Sequence, residues 1–447
     1  MSATFPLSNP GMVNRPPCKY GKDCYQKNPM HHEKFRHPGD KENNDDSNNS
    51  NKEQQGNKRT LDAAHKDTES PSKKPKIEEA KVEEVEEATT VDETDKATPK
   101  AEEDEKEPEA EAPKDEDKAV DHEPEEPLLP ASPTNPRENL KQKFGVEMPE
   151  DFYEFWKFCQ ILNGEHPEDA LLAQCGLKLV GPFDVLRGAL KESNNRKASD
   201  YLCHWRYQFD PPEFQTVLAS QETDFHLGYY RDDPAESPAF VASNDPLDGC
   251  KLTPLGDNLF GAVYHHLGNL MRGAEPFKQT ALQKLKEKIH VQATMNIVDS
   301  DFSLDLKTPA MKLRERKKVA NTFQGVGLIV PYNKEADVGY REIPETTASL
   351  KKIFKNINEA AEGEALDKAM DVLQELVTNV QFANDEGDPG MGIELGLDAF
   401  ATGGERLHSV IEHLLGVGYE LVNRPLYAKI IKAHLKRRRS GQVFKIQ

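Results

Sequence analysis

The 447-residue chain lacks the features of a secreted or membrane-spanning protein. It contains six cysteines, of which only Cys18 and Cys24 lie close together, so the pattern does not suggest a disulfide framework. No signal peptide is recognisable, and no run approaches the ~20 apolar residues that a membrane helix needs. We therefore expect a soluble intracellular protein in a reducing compartment, with no membrane partner.

The motifs of a self-contained enzyme are also missing. The sequence has no Gly-rich phosphate loop after a strand, no G-x-S-x-G nucleophile elbow and no HExxH zinc motif. Cys159, Cys175 and Cys203 lie in apolar helical patterns, where cysteine is more often a packing residue than a nucleophile. We therefore predict that the chain alone does not contain a complete active site.

Negative charge is abundant but concentrated in one segment. The formal charge is −20, and residues 78–126 hold 23 acidic and 6 basic residues. Residues 1–17 and 41–137 are polar, without hydrophobic periodicity, so we predict that they are disordered. Two basic clusters within residues 58–76 have the spacing of a bipartite nuclear localisation signal, or they are ordinary solvated charge. The acidic tract is either a solubilising linker or a mimic of nucleic acid toward histones.

Four potential metal ligands follow the N-terminal segment. Cys18, Cys24, His31 and His37 form the pattern C-x5-C-x6-H-x5-H within twenty residues. Two thiolates and two imidazoles suit tetrahedral zinc. So short a segment cannot fold by apolar burial alone, so the metal would supply the folding energy. We predict a structural zinc finger over residues 18–40.

This segment resembles the PBZ finger, a zinc finger that binds poly(ADP-ribose), over residues 15–40. The resemblance implies that Tyr20 and Tyr25 stack on an adenine of the polymer. Gln26 stands where the PBZ pattern usually has arginine, so a charge-assisted phosphate contact is lost or passes to a neighbouring basic residue.

From about residue 138 the sequence predicts an ordered α+β part. Residues 138–222 are expected to be a mainly helical subdomain, with helical patterns continuing through 171–190 and 200–218. An apolar stripe at helical spacing is predicted to be core: Phe144, Met148, Phe152, Phe155, Trp156, Phe158 and Leu162.

Residues 223–440 are expected to be a mixed α/β subdomain. Short apolar runs ended by Pro, Gly and Asp predict a β-meander after residue 223. Asp257 is predicted to cap a helix that ends at Met271. The apolar run 325–332 predicts an interior strand. Further helices are expected at about 276–290, 348–360, 363–380, 405–416 and 424–438.

One stretch in this second part carries candidate chemistry. In residues 379–398, NVQFANDEGDPGMGIELGLD, an apolar helix enters and the polar group Asn384, Asp385 and Glu386 follows at the helix exit. The helix is expected to be broken at Gly387, Pro389, Gly390 and Gly392. On residue types alone, an ordinary solvated loop after a helix is the better explanation of the stretch.

Together with VGYREIPET at Val338–Thr346, this stretch resembles the histone PARylation factor family over about residues 138–438. The resemblance implies binding to the catalytic domain of a DNA-damage-activated poly(ADP-ribose) polymerase. It further implies that a glutamate is inserted beside the polymerase's NAD⁺ site and directs ADP-ribosylation to serines of histones. NAD would then be held by the partner, not by this chain.

Carried over by position, the inserted glutamate is Glu386, with Asp385 beside it, and the family's Tyr-Arg pair is Tyr340-Arg341. A carboxylate at that place can act as general base for a serine hydroxyl, a step typically worth ~10²–10⁴-fold in rate. We assign Arg341 to orienting Glu386 or pairing across the interface. An ion pair of Arg341 with Glu342 is the ordinary alternative.

Three functions remain open at this stage. The favoured one is an accessory factor that acts as a monomer in the nucleus, at chromatin and sites of DNA damage. The second is a non-catalytic reader or adaptor for poly(ADP-ribose). The third is a stand-alone ADP-ribosyl hydrolase or transferase, for which the sequence has no recognisable cofactor pocket.

Overall fold

The computed structural model describes residues 126–192, 195–295, 302–439 and 442–446. The predicted zinc finger, the predicted localisation signal and the acidic tract up to residue 125 lie outside the described residues. Within the described part, the protein has the α+β class predicted from the sequence: one antiparallel sheet and thirteen α-helices.

Five strands form the sheet, and their spatial order is their order along the chain. They are β1 (Leu177–Leu179), β2 (Phe214–Ser220), β3 (His226–Tyr230), β4 (Phe240–Asn244) and β5 (Leu252–Gly256). The central strand β3 is buried along its whole length. The predicted meander after residue 223 is therefore confirmed, and it forms three of the five strands.

Seven helices lie in the first part of the described chain. They are α1 (Pro136–Phe144), α2 (Glu150–Leu162), α3 (Leu172–Cys175), α4 (Phe183–Leu186), α5 (Ala198–Cys203), α6 (Leu259–Met271) and α7 (Pro276–Thr294). The cap of α6 is Asn258, whose side chain accepts a hydrogen bond from the Gly261 N–H at 2.9 Å, and not Asp257 as predicted.

Six helices form the last part. They are α8 (Pro309–Lys317), α9 (Thr347–Glu359), α10 (Glu364–Asp385), α11 (Gly390–Thr402), α12 (His408–Leu421) and α13 (Pro425–Arg437). Thr308 and Thr346 cap α8 and α9 through side-chain hydrogen bonds to backbone N–H groups. No described helix has the length and apolar content that crossing a bilayer requires.

The predicted aromatic stripe of α2 lies in the first hydrophobic core. Phe152, Phe155 and Phe158 are buried, and Phe152 stacks on Phe183 of α4 with ring centroids 4.1 Å apart. Trp156 and Leu162 are half-buried at the edge of this core. The stripe thus joins the N-terminal helices to the sheet and to α6.

A second core holds the C-terminal helices together. Phe354, Phe400 and Tyr419 are fully buried in it, and α11 packs on both α10 and α12. Leu202 of α5 also belongs to this core, although it lies more than a hundred residues earlier in the chain. This second core is the base on which the candidate site is built.

The predicted division at residues 222 and 223 is wrong in one respect. Strands β1 and β2 lie within the segment predicted to be mainly helical, so the boundary cuts through the sheet. Residues 171–190 contain only two short helices, and most of 200–218 is loop and strand. The sheet is continuous because β2 pairs with β3, with Phe214 opposite Tyr230.

Two further predictions differ from the structure. The predicted strand 325–332 is irregular and makes a single bridge, Leu328 to Ala320, because Gly325 and Gly327 have positive φ angles of 85° and 71°. Ordered structure also begins before residue 138, since Leu128 bridges to Lys197. Residues 126–137 are therefore part of the fold.

Candidate functional site

The candidate carboxylate lies at the junction of two packed helices. Helix α10 ends at Asp385, and Glu386 is its C-terminal cap. Gly387, with φ 89°, turns the chain, and the Asp388 N–H then donates to the Ala383 carbonyl at 2.8 Å. The helix exit predicted at this place is confirmed.

The glycines after this turn do not form a loop. Gly390 and Gly392 belong to α11, contrary to the prediction that they break the helix. Gly392 lies against Val380 of α10, where an added Cβ would be 2.8 Å from the Val380 Cγ1 atom. Gly392 thus permits close packing of α11 on α10, whereas Gly390 lies against the Gly339–Tyr340 segment.

Arg341 joins this turn to the segment around Tyr340. Its Nη2 atom makes an ion pair with the Glu386 carboxylate and lies 2.9 Å from Asp388 Oδ2. The side chains of Arg341 and Asp388 are 17% and 5% exposed, whereas that of Glu386 is 34% exposed. Asp388 is thus the buried anchor and Glu386 the carboxylate that reaches solvent.

The backbone before Arg341 is held by the same anchor. The Gly339 N–H donates to Asp388 Oδ1 at 2.9 Å, and the Gly339 carbonyl accepts from the Gly390 N–H at 3.0 Å. A Cβ at Gly339 would lie 2.1 Å from the Pro331 carbonyl oxygen, so the close approach requires glycine. These bonds fix the position of Arg341 against the end of α10.

Tyr340 points inward rather than toward Glu386. Its hydroxyl donates to Glu394 Oε2 of α11 at 2.8 Å, and burial with this carboxylate raises the Tyr340 pKa. Burial also raises the pKa of Glu394 to about 7, although the hydrogen bond from Tyr340 opposes that rise. Tyr340 therefore fastens the Arg341 segment to α11.

Exposed apolar side chains flank the carboxylate. Phe382, one helical turn before Glu386, is 58% exposed, and Val338 is 42% exposed. Val338 Cγ1 would be 3.2 Å from a Cβ added at Gly387, so this side chain borders the turn. Exposed apolar groups beside an oriented charge are typical of a protein-binding surface.

The structure thus brings Arg341 and Glu386 together and places Asp385 exposed at the last residue of α10. Arg341 contacts Asp388, which sequence reasoning missed although it lies two residues after Glu386 in the quoted motif. The role of Glu394 as the partner of Tyr340 was also missed. A single glutamate within an apolar helical segment could have indicated it, because a buried carboxylate needs a hydrogen-bond partner. The predicted zinc ligands Cys18, Cys24, His31 and His37, with Tyr20 and Tyr25, lie outside the described residues.

A carboxylate in this position can act only on a group that another molecule presents. Glu386 lies on an open surface beside apolar side chains. A groove of about 780 Å³ between α12 and α13 is lined by other residues, among them His408, His413 and Lys436. The site therefore presents an oriented carboxylate on an open surface rather than inside a pocket of the described residues.

Comparison with known proteins assigns the family. Residues 135–438 match the sequence profile of the family described as Histone PARylation factor 1, and residues 15–40 match that of the PBZ domain. The chain belongs to the histone PARylation factor 1 family and carries a PBZ domain near its N-terminus.

Individual relatives agree with this assignment. "Histone PARylation factor 1" of Bos taurus is 43% identical over 312 residues, which are 70% of this chain and 89% of the relative. The protein of the same description from Danio rerio is 44% identical over 304 residues, 68% of this chain and 85% of the relative. "Putative histone PARylation factor 1-like" of Homo sapiens is 41% identical over 308 residues, 69% of this chain and 88% of the relative.

Proposed function

We propose that this protein binds the catalytic domain of a DNA-damage-activated poly(ADP-ribose) polymerase and supplies Glu386 as general base for an acceptor serine. The observation that carries the proposal is the solvent-reaching Glu386 carboxylate, which Arg341 orients on a surface bordered by Phe382 and Val338. Membership of the histone PARylation factor 1 family supports histones as acceptors.

The chemistry needs a base because a serine hydroxyl is almost never ionised at neutral pH. In the proposed step, the serine oxygen attacks the anomeric carbon of the nicotinamide ribose of NAD⁺, which the polymerase holds. The bond from that carbon to nicotinamide breaks, and nicotinamide leaves with the electron pair. The serine proton passes to Glu386 and from there to water.

The other site residues act on Glu386 in this proposal. Arg341 orients the carboxylate, and Asp388 holds Arg341 in place by its ion pair and its bond to the Gly339 N–H. We propose that Tyr340 secures this segment and that Asp385 contributes negative charge at the interface with the polymerase.

The PBZ domain would retain the protein where polymer is made. We propose that Cys18, Cys24, His31 and His37 bind one structural zinc, since two thiolates and two imidazoles match its preferred donors. Tyr20 and Tyr25 would then stack on bases of poly(ADP-ribose). Together with the basic clusters at 58–76, this domain supports our proposal that the protein acts in the nucleus, at chromatin.

The decisive experiment is a histone-peptide ADP-ribosylation assay with NAD⁺, activated polymerase and full-length protein. Glu386→Gln should reduce serine modification by about 10²-fold or more, while binding to the polymerase persists. Glu364→Gln is the matched control, because it changes the same residue type at the exposed start of the same helix. Equal serine modification by wild type and Glu386→Gln would refute the catalytic role.

A non-catalytic reader of poly(ADP-ribose) is the second candidate, favoured by the PBZ match at residues 15–40. It predicts that Cys18→Ser abolishes polymer binding and zinc content, whereas Glu386→Gln changes no chemistry. Zinc per chain, measured by mass spectrometry on the purified protein, tests the finger independently. A metal-free chain that still binds polymer would overturn the proposed finger.

A further inference from the structure

Helix α7 carries a second stripe of side chains, apolar at both ends and basic at the centre, that does not face the core. Its core-facing side consists of Leu282, Leu285, Ile289 and Ala293, all buried. A different set of side chains is exposed and recurs at intervals of four and three residues: Phe277, Ala281, Lys284, Lys288, Val291 and Met295. This spacing is that of the a and d positions of a helix–helix seam. We name this set the α7 seam.

The seam faces away from the rest of the fold. Lys286, about 200° around the helix from Lys284, lies over the Tyr264 ring of α6 at 4.1 Å. The flank toward α6 is therefore the one opposite to the seam. Phe277 is 92% exposed, Met295 67% and Val291 46%. The exposed apolar side chains thus form two clusters, Phe277 with Ala281 at one end of the seam and Val291 with Met295 at the other, and exposed apolar clusters of this kind mark interaction surfaces.

The order of apolar and basic side chains along the seam indicates which partner helix would be complementary to it. Apolar side chains occupy both ends, and Lys284 and Lys288 occupy the middle. From Phe277 to Met295 the seam spans about 27 Å, the length of a helix of about five turns. A complementary helix has apolar residues at its ends and carboxylates at its two central positions.

A second copy of this chain does not meet that requirement. In a parallel pair each lysine would face its own copy, and in a centred antiparallel pair Lys284 would face Lys288. Like charges in such a seam are unfavourable. A nucleic acid fits less well than a helix, since the apolar ends offer nothing to phosphates and Glu287 borders the central lysines.

We propose that the α7 seam is a docking site for an amphipathic helix of a partner protein, with acidic residues at the centre of that helix. Phe277 and Met295 are the apolar anchors, and Lys284 and Lys288 select the acidic partner. This surface is separate from Glu386, since the seam lies on α7 and on Met295, which caps that helix, whereas Glu386 caps α10.

The test uses the full-length protein and two designed probes. Each probe is a labelled helix of about 19 residues, presented on a monomeric helical-hairpin scaffold so that it is already folded. One carries leucine at the outer seam positions and glutamate at the two central ones, and the other carries lysine at the centre. Fluorescence anisotropy should show that the acidic probe binds wild type and the basic probe does not.

Charge reversal makes the test specific. Lys284→Glu together with Lys288→Glu should weaken the acidic probe by about tenfold or more and should confer binding of the basic probe. Phe277→Ala should weaken the acidic probe by about tenfold. Lys278→Glu is the matched control, since it makes the same charge change on the same helix about 120° away from Lys284. It should alter binding by less than about twofold.

Four results would overturn the proposal. The first is that neither probe binds wild type at about 1 mM. The second is that Lys278→Glu weakens binding as much as the combined change of Lys284→Glu and Lys288→Glu. The third is that a short DNA duplex displaces the acidic probe, which would indicate a nucleic-acid surface, and the fourth is that sedimentation shows a dimer that Phe277→Glu dissociates, which would indicate self-association. Circular dichroism of each variant checks that the fold is retained. None of these measurements depends on the polymerase, so they stand apart from the function proposed for Glu386.

Discussion

Gly390 allows the contact between α11 and the Arg341 segment to be tested quantitatively. A Cβ added at Gly390 would lie 2.8 Å from the Gly339 carbonyl oxygen, 2.9 Å from Val330 Cγ2 and 3.0 Å from Tyr340 Cδ2. The first of these atoms is backbone and cannot rotate away. Gly390→Ala must therefore displace the Gly339–Arg341 segment from α11 or shift the start of that helix.

The expected magnitude follows from two opposing effects. Overpacking of this kind costs about 1–3 kcal/mol, whereas alanine is favoured over glycine in a helix interior by about 0.5–1 kcal/mol. Gly390 is the first residue of α11, so little of that gain applies there. We expect the free energy of unfolding to fall by about 1–2 kcal/mol.

Gly416→Ala provides the control, since it is the same change inside α12 with no atom within 4 Å of the added Cβ. It should raise the free energy of unfolding by up to about 1 kcal/mol. Urea unfolding followed by circular dichroism measures both variants. If Gly390→Ala is as stable as wild type, the close contact between Gly390 and the Gly339–Arg341 segment does not contribute to stability as argued. If serine modification is also unchanged, the position of that segment does not control the action of Glu386.

Three further predictions concern buried carboxylates. Asp388→Ala leaves the buried Gly339 N–H unpaired and removes a partner of Arg341. It should lower the free energy of unfolding by about 2–4 kcal/mol. A decrease below about 0.5 kcal/mol, measured by urea unfolding, would refute the anchor role of Asp388. Tyr340→Phe removes the hydrogen bond to Glu394 and should cost about 1–3 kcal/mol, which a thermal melt would detect. Burial raises the pKa of Asp398 to about 7, so the native state binds this proton more tightly than the unfolded state does. The stability that Asp398 protonation contributes is therefore fully present at acidic pH and is lost as the pH rises from about 4 to 7. Asp398→Asn should remove a slope of at most about 1.4 kcal/mol per pH unit from that range, and an unchanged slope in pH-dependent urea titrations would count against it.

The sequence predicted the fold where local pattern and tertiary packing agree. The α2 stripe has helical periodicity, the runs after residue 223 are short and ended by Pro, Gly and Asp, and both predictions were correct. Strand β2 was missed because residues 200–218 were predicted as one helical pattern, and burial of five of its seven residues leaves no alternation to mark the strand. The run 325–332 is apolar on both faces, as an interior strand is, but two glycines at positive φ limit its pairing to a single bridge.

Helix α11 shows why part of the site could not be predicted. Glycine is a poor helix former, and Gly390 and Gly392 suggested a break. Their value appears only in the packed structure, where a Cβ at Gly392 would lie 2.8 Å from Val380 Cγ1. The roles of Asp388 and Glu394 depend on contacts across about 50 residues of sequence, which spacing alone does not reveal.

The membership of Leu202 in the second core has a consequence for synthesis on the ribosome. Its partners on α12 and α13, such as Ile430, are made about 230 residues later. At about 5–20 residues per second, α5 waits roughly 10–50 s for them. The sheet and the first core can form during that interval, whereas the second core can be completed only after α13 has been made. Destabilising changes in α13 should therefore lengthen the time that a nascent chain depends on chaperones.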